Sequence, residues 1–162
     1  MIRALLFDWG NTIMVDFNLP GPMCDWERVA WVDGAESALK QLKGKFPCYI
    51  ASNAPQSDST QVRKALEKVG AAVYFEKIYS SFDIGFEKPD KRFFEAIINE
   101  LSLDPSEFVM IGDNYHKDIE GAKACGIRTI FLNIKGEKGP FSSADAEIRH
   151  MGQLPEAVFG LD

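Results

Sequence analysis

The 162-residue chain is 46% hydrophobic and 26% charged, an ordinary balance for a soluble globular protein and enough chain to bury a core without disulfide or metal staples. A net charge of −6 and a pI near 5.0 oppose non-specific attraction to nucleic acid or anionic membrane, so neither is expected as a partner. Cys24, Cys48 and Cys125 fit no zinc or disulfide spacing and read as reduced, mostly buried thiols, while the apolar run before Asp8 is far too short for a membrane helix, so a cytoplasmic location is expected.

The first element is a β-type run over residues 2–7 that ends at Asp8. Residues 13–33 follow as a short flap or hairpin carrying Phe17, Met23, Trp26 and Trp31, aromatic and apolar groups that suit either packing over a sheet or a recognition or dimer surface. A helix is predicted over 34–43 from the spacing of Ala35, Ala38, Leu39 and Leu42, then a strand over 48–51 that runs into Ser52-Asn53. Val62, Ala65, Leu66 and Val69 mark a second helix over 57–69, stopped by Gly70. After a strand over 77–80, Pro89 precedes a helix over 90–101 bearing Phe93, Phe94, Ile97, Ile98 and Leu101, which Asp104-Pro105 breaks.

A strand over 108–111 leads to Gly112-Asp113, a helix over 117–125 ends at Gly126, and a strand over 128–132 follows. The tail from Ala144 reads as a late edge strand and a short terminal helix. Strands alternating with helices imply right-handed crossovers and a mainly parallel sheet covered on both faces, a three-layer α/β fold in a single domain over 1–162. Ligands of such sheets gather beyond the carboxyl ends of the strands, where Asp8 to Thr12, Ser52-Asn53 and Gly112-Asp113 stand.

Four blocks between Phe7 and Asp118 carry chemistry in a fixed order: FDWGNT, ASNA, Lys88-Pro89-Asp90 and GDNYHKD. Together they resemble the four motifs of the haloacid dehalogenase-like superfamily, whose core is Rossmann-like. The resemblance implies that Asp8 attacks phosphorus to give an aspartyl-phosphate that water then hydrolyses. Asp8 beside Asp113 makes a carboxylate cluster that calls for a hard cation, and the implied cofactor is Mg²⁺, held by Asp8, the Gly10 carbonyl and Asp113. Asp118 is either a further ligand through water or a group that orients the others. Ser52 and Asn53 are expected to bind phosphate, and Lys88 to place positive charge against the nucleophile and the transferring group. Thr12 resembles the position that supports the first turn, and His116, a lone loop histidine, receives no catalytic role.

One position departs from the family pattern. The first motif ordinarily has a second aspartate two residues after the nucleophile, the general acid and base, and here that residue is Gly10. Glycine keeps a carbonyl for the metal but has no carboxyl for the proton, and such help is worth about 10²- to 10⁴-fold in rate. The motif is similar to the FDWAGT of phosphonoacetaldehyde hydrolases, yet those enzymes and the haloacid dehalogenases rely on a helical cap, for which residues 13–33 leave little room. An open site is therefore expected, suited to an accessible or activated phosphate on a small molecule or a macromolecule, or closed by a second subunit of a homo-oligomer. Two functions fit: an Mg²⁺-dependent phosphohydrolase, and a phosphate- or metal-binding regulatory domain that has lost turnover.

Overall fold

A computed structural model describes residues 1–162. Its strands are β1 (Ala4–Phe7), β2 (Cys48–Ser52), β3 (Lys77–Ser80), β4 (Phe108–Gly112), β5 (Arg128–Leu132) and β6 (Ala146–Ile148). They form one sheet in the order β3-β2-β1-β4-β5-β6, and every pairing is parallel. The helices are α1 (Ala35–Leu42), α2 (Ser59–Lys68), α3 (Ser81–Ile84), α4 (Lys91–Leu101), α5 (Gly121–Ala124) and α6 (Leu154–Leu161).

Alternation along each strand divides the core into two layers. Leu5, Phe7, Ile50, Val109 and Ile111 face one way and pack with Leu39 of α1, Leu66 of α2 and Val158 of α6. Ala4, Leu6, Phe108 and Met110 face the other way, against Phe93, Phe94 and Ile97 of α4 and Ala122 of α5. These strands are apolar on both sides because both sides are covered, and each large side chain so buried is worth about 2 kcal/mol relative to exposure. The strand order reverses between β1 and β4, which places the crevice of the switch point directly beyond Phe7 and Gly112.

Several element ends differ from the sequence reading, each for a local reason. α2 begins at Ser59 and not at residue 57, because Asp58 caps it: its carboxylate accepts Gln61 N–H at 2.8 Å while the Gln61 side chain accepts Asp58 N–H at 3.0 Å. The Ser80 hydroxyl caps α3, which has no apolar period to announce it. The helix expected over 117–125 starts earlier, as a π-helical winding over Tyr115–Glu120 that passes into α5. Of the three thiols only Cys48 is fully buried, since Cys24 lies on the flap and Cys125 at the end of α5, so the expectation of mostly buried cysteines is corrected; none is in a disulfide.

The flap is stitched to the body. Val15 N–H donates to Ala30 C=O and Val32 N–H to Ile13 C=O, closing its base as a hairpin. Met23 and Trp26 are buried in the same layer as α1 and α2, and the Lys68 ammonium of α2 donates to the carbonyls of Cys24 and Trp26. Trp31 donates its indole N–H to Val69 C=O at 2.9 Å, and Phe17 lies half-buried beneath the Arg28 guanidinium. Met23 and Trp26 are thus packed into the body, while Phe17 and Trp31 stay half-buried. No helix is long and apolar enough to cross a membrane.

Gly34 caps the start of α1 at φ +80°, and a Cβ there would stand 2.6 Å from His150 Cε1 and 2.7 Å from Gly152 N. A side chain would meet both a left-handed backbone and another backbone segment. Gly34→Ala is therefore expected to lower the unfolding free energy by about 2 kcal/mol or more, read from the midpoint of a urea denaturation curve.

Candidate active site

Three segments at or beyond the carboxyl ends of β1, β2 and β4 converge on one buried cation. Lys88 is 2% exposed, and its ammonium donates to Asp8 Oδ1 at 3.0 Å, Asp118 Oδ1 at 2.7 Å and the Ala51 carbonyl at 2.7 Å. Those three bonds use all of its protons. Burial alone would push the ammonium pKa down, but Asp118 and Asp8 outweigh it and hold the group up at about 12. The backbone of Lys88 is fixed by Asn53, whose side-chain amide donates to Lys88 C=O and accepts Lys88 N–H, both at 2.8 Å.

Asp8 follows β1 directly, and its N–H extends the ladder to Ile111 C=O at 2.9 Å. Asp113 follows β4 in the same manner, so the register of two neighbouring strands brings these carboxylates together. Between them stands the buried Thr12 hydroxyl, 3.3 Å from Asp8 Oδ2 and 3.3 Å from Asp113 Oδ1; with one proton it serves one of them at a time. Oxygens of Asp8, Asp113 and Asp118 all lie within 4.8 Å of one another. Three carboxylates against one ammonium leave an excess of negative charge. Burial, followed by repulsion from Asp8, raises the Asp113 carboxyl well above the usual carboxylate range, and the same two causes raise Asp118 against the opposing pull of Lys88.

The π-helical winding aims Asp118 inward. Its Oδ1 accepts from Lys88 and its Oδ2 accepts Asn114 N–H at 3.0 Å, so both oxygens are engaged by the protein. This close approach requires Gly112, where a Cβ would fall 2.1 Å from Asp118 Oδ2. Ser52 is buried at the end of β2 and lines the cleft without a hydrogen bond to the protein through its hydroxyl. The Gly10 carbonyl likewise accepts no hydrogen bond from the chain.

The cleft above these groups has a volume of about 440 Å³. The candidate nucleophile, metal ligands and phosphate-binding residues all line it: Asp8, Gly10, Ser52, Asn53, Lys88, Asp113 and Asp118. His116 does not; it is exposed and pairs with Glu120 at 2.8 Å. Sequence reasoning missed Asp16 and Lys117, which also line the cleft, and the Ala51 carbonyl beneath Lys88. Lys117 sits inside the fourth motif and was legible as a cation there, whereas Asp16 reaches the cleft only through the folding of the flap.

A family model for haloacid dehalogenase-like hydrolases matches residues 21–126, about two thirds of the chain. The chain belongs to that family. Among sequence relatives, a phosphoserine phosphatase of Thermus thermophilus is 32% identical over 94 residues, covering 58% of this chain and 37% of its own. The pyrophosphatase PpaX of Bacillus pumilus is 36% identical over 104 residues, covering 62% and 47%. This chain spans about a third to a half of the length of the curated relatives it matches. Among solved structures, an uncharacterized protein of Listeria monocytogenes serotype 4b superposes with a TM-score of 0.87 at 28% identity, covering 99% of this chain and 98% of the other. The HAD-hydrolase YfnB of Bacillus subtilis, solved bound to magnesium, gives a TM-score of 0.81 at 21% identity over 97% and 98%, a likeness of fold. The family thus accounts for the all-parallel three-layer core.

Charge balance at the site sets two opposite stability effects. Lys88→Met strands buried carboxylates and is expected to cost about 3 kcal/mol. Asp113→Asn removes a repelled charge and is expected to stabilise the protein in chelator by on the order of 1 kcal/mol. Because the folded-state pKa of Asp113 is raised, the native state favours its protonated form; stability present below the ordinary carboxyl pKa is lost as pH rises through the folded value. The gain from Asp113→Asn should therefore be larger at pH 8 than at pH 4, as measured by urea unfolding at each pH.

Proposed function

We propose that the chain is an Mg²⁺-dependent phosphohydrolase that works through an aspartyl-phosphate at Asp8, on an accessible or activated phosphate. The observation that carries this reading is the convergence of Asp8, Asp113 and Asp118 around the buried ammonium of Lys88 at the switch point of the sheet. The phosphatase names of its sequence relatives support it.

The donor set fits a hard divalent cation. Asp8 and Asp113 supply carboxylate oxygens, the Gly10 carbonyl is free of other bonds, and a positive ion would relieve both the excess negative charge and the upward pressure on the Asp113 pKa. Asp118, with both oxygens engaged, acts by orienting Lys88 and by contacts through water. When bound, Mg²⁺ neutralises the phosphate and the carboxylates and so lets an anionic nucleophile approach an anionic substrate.

The side chains of the chain itself perform the remainder. Lys88 and Thr12 hold the Asp8 carboxylate in place, so little reorganisation is needed as it attacks phosphorus. The free hydroxyl of Ser52 donates to a phosphate oxygen as charge gathers there. Asn53 contributes by setting Lys88 through its backbone, and its place on the cleft wall leaves it within the phosphate site. The phosphoryl group passes from the substrate oxygen to Asp8, and water then takes it from Asp8 and restores the carboxylate.

Gly10 favours a second reading, a domain that binds phosphate or metal without productive turnover, because position 10 brings no carboxyl to the cleft. A substrate panel with Mg²⁺ separates the two. The phosphohydrolase reading expects turnover that Asp8→Asn lowers at least about 10³-fold and that chelation abolishes, with a phosphoenzyme visible by intact-mass spectrometry after rapid acid quench. Turnover unaffected by Asp8→Asn removes the nucleophile, whereas an inactive native chain that Gly10→Asp awakens identifies the second reading.

Metal binding also has a signature in stability. Ligand carboxyls must lose their protons to bind the ion, and the Asp113 carboxyl gives up its proton late. Millimolar Mg²⁺ is thus expected to raise the melting temperature by several degrees at pH 8 and by little at pH 5, as followed by calorimetry.

A further inference from the structure

We infer that Asp16 supplies the proton-transfer carboxyl that position 10 lacks, as a catalytic residue that enters the cleft from the flap. This role rests on the phosphohydrolase reading above.

Gly10 leaves room beside it for a carboxyl from elsewhere in the chain. A Cβ placed on Gly10 would meet the Asp16 side chain, with Cβ at 3.7 Å and Oδ2 at 3.9 Å, and apart from its chain neighbours nothing else comes within 4 Å. The space beside Gly10 is therefore open to the cleft and bounded by a single functional group, a carboxylate. Asp16 lines the same cleft as Asp8, Ser52 and Asp113. Glycine at position 10 and aspartate at position 16 thus place one carboxyl in the neighbourhood where an aspartate at position 10 would bring its own.

Asp16 is held there by the local backbone. Its N–H donates to Asn11 Oδ1 at 2.9 Å, and its Oδ1 accepts Asn18 N–H at 2.8 Å, so one oxygen anchors the carboxyl to its own turn. Asn11 and Asn18 both adopt positive φ, of 59° and 54°, conformations that asparagine tolerates better than most residues. The other oxygen, Oδ2, has no hydrogen-bond or ion-pair partner, and it is the oxygen that faces Gly10. Just before Asp16, the pairing of Met14 with Trp31 and the bond from Val15 N–H to Ala30 C=O fix the strand of the flap. A free oxygen on an anchored carboxyl at the mouth of an active cleft is suited to moving a proton.

The balanced chemistry has two halves. In the first, an Asp8 oxygen bonds to phosphorus as the bond from phosphorus to the leaving oxygen breaks, and protonated Asp16 gives its proton to that oxygen, releasing an alcohol. In the second, ionised Asp16 takes a proton from water as the water oxygen bonds to phosphorus and the bond to Asp8 breaks. Inorganic phosphate leaves, Asp8 is again a carboxylate and Asp16 is again protonated.

The test compares native protein, Asp16→Asn, Gly10→Asp, the double variant Gly10→Asp/Asp16→Asn and Asp8→Asn, each with Mg²⁺ and with two substrates. A simple alkyl phosphate needs a proton on its leaving oxygen, whereas acetyl phosphate releases an already stable anion. Asp16→Asn is expected to lower turnover of the alkyl phosphate by about 10²- to 10⁴-fold. It should slow transfer from acetyl phosphate to Asp8 by less than about 10-fold, since that step needs no acid, and leave phosphoenzyme accumulating in the intact-mass spectrum because its hydrolysis still needs a base. The double variant should regain a substantial part of the alkyl-phosphate turnover. Alkyl-phosphate turnover by Asp16→Asn within about threefold of native overturns the role of Asp16 and leaves Asp8 standing, provided that Asp8→Asn is inactive. An inactive native chain awakened by Gly10→Asp also overturns it. Activity that survives Asp8→Asn overturns the nucleophile and with it this role.

Discussion

The buried ammonium of Lys88 is the constraint on which the site depends. A cation taken out of water is tolerated only when carboxylates and carbonyls enclose it, and this one draws in the end of β1 through Asp8, the end of β2 through Ala51 and the segment after β4 through Asp118. Three segments distant in the chain are thereby pinned to one point. The arrangement is strongly biased in sign, because the same cation that gathers the carboxylates is too little to neutralise them. That imbalance is a stored demand for another positive ion, and it gives the cleft its chemical character before any ligand arrives.

Two departures from regular structure serve this centre. The segment after β4 winds as a π-helix where an α-helix was expected, and this brings the Asp118 carboxylate back against Asn114 N–H and Lys88. Gly112 has no side chain because Asp118 occupies the space that a side chain would need. Local helical regularity is given up so that a buried charge can be paired. Asn53 adds a second layer of order, since it binds no group of the centre directly but clasps the main chain of the residue that does.

Much of this was legible in the sequence. The strands were marked by apolar runs ending in polar residues, and their alternation with helices implied a parallel sheet, which in turn required the loops after β1, β2 and β4 to share an edge. Asp8, Asp113 and Ser52 were findable because each ends or follows such a run, and Lys88 through the resemblance of its segment to a family motif. What escaped was set by side chains acting across the chain. The start of α2 depends on a reciprocal cap between Asp58 and Gln61, which the apolar period does not register. The task of Asn53 follows from the position of Lys88, and no property of residue 53 alone reveals it. Asp16 looks like an ordinary turn aspartate in the letters, and it becomes notable only once the flap folds back over Gly10.

The anchoring of that flap carries a consequence for kinetics. Met23 and Trp26 are embedded in the main hydrophobic layer, and Lys68 ties the neighbouring backbone to α2, so the wall of the cleft cannot swing outward without exposing core. Discrimination among arriving molecules then falls at the first encounter, through fit to a standing doorway.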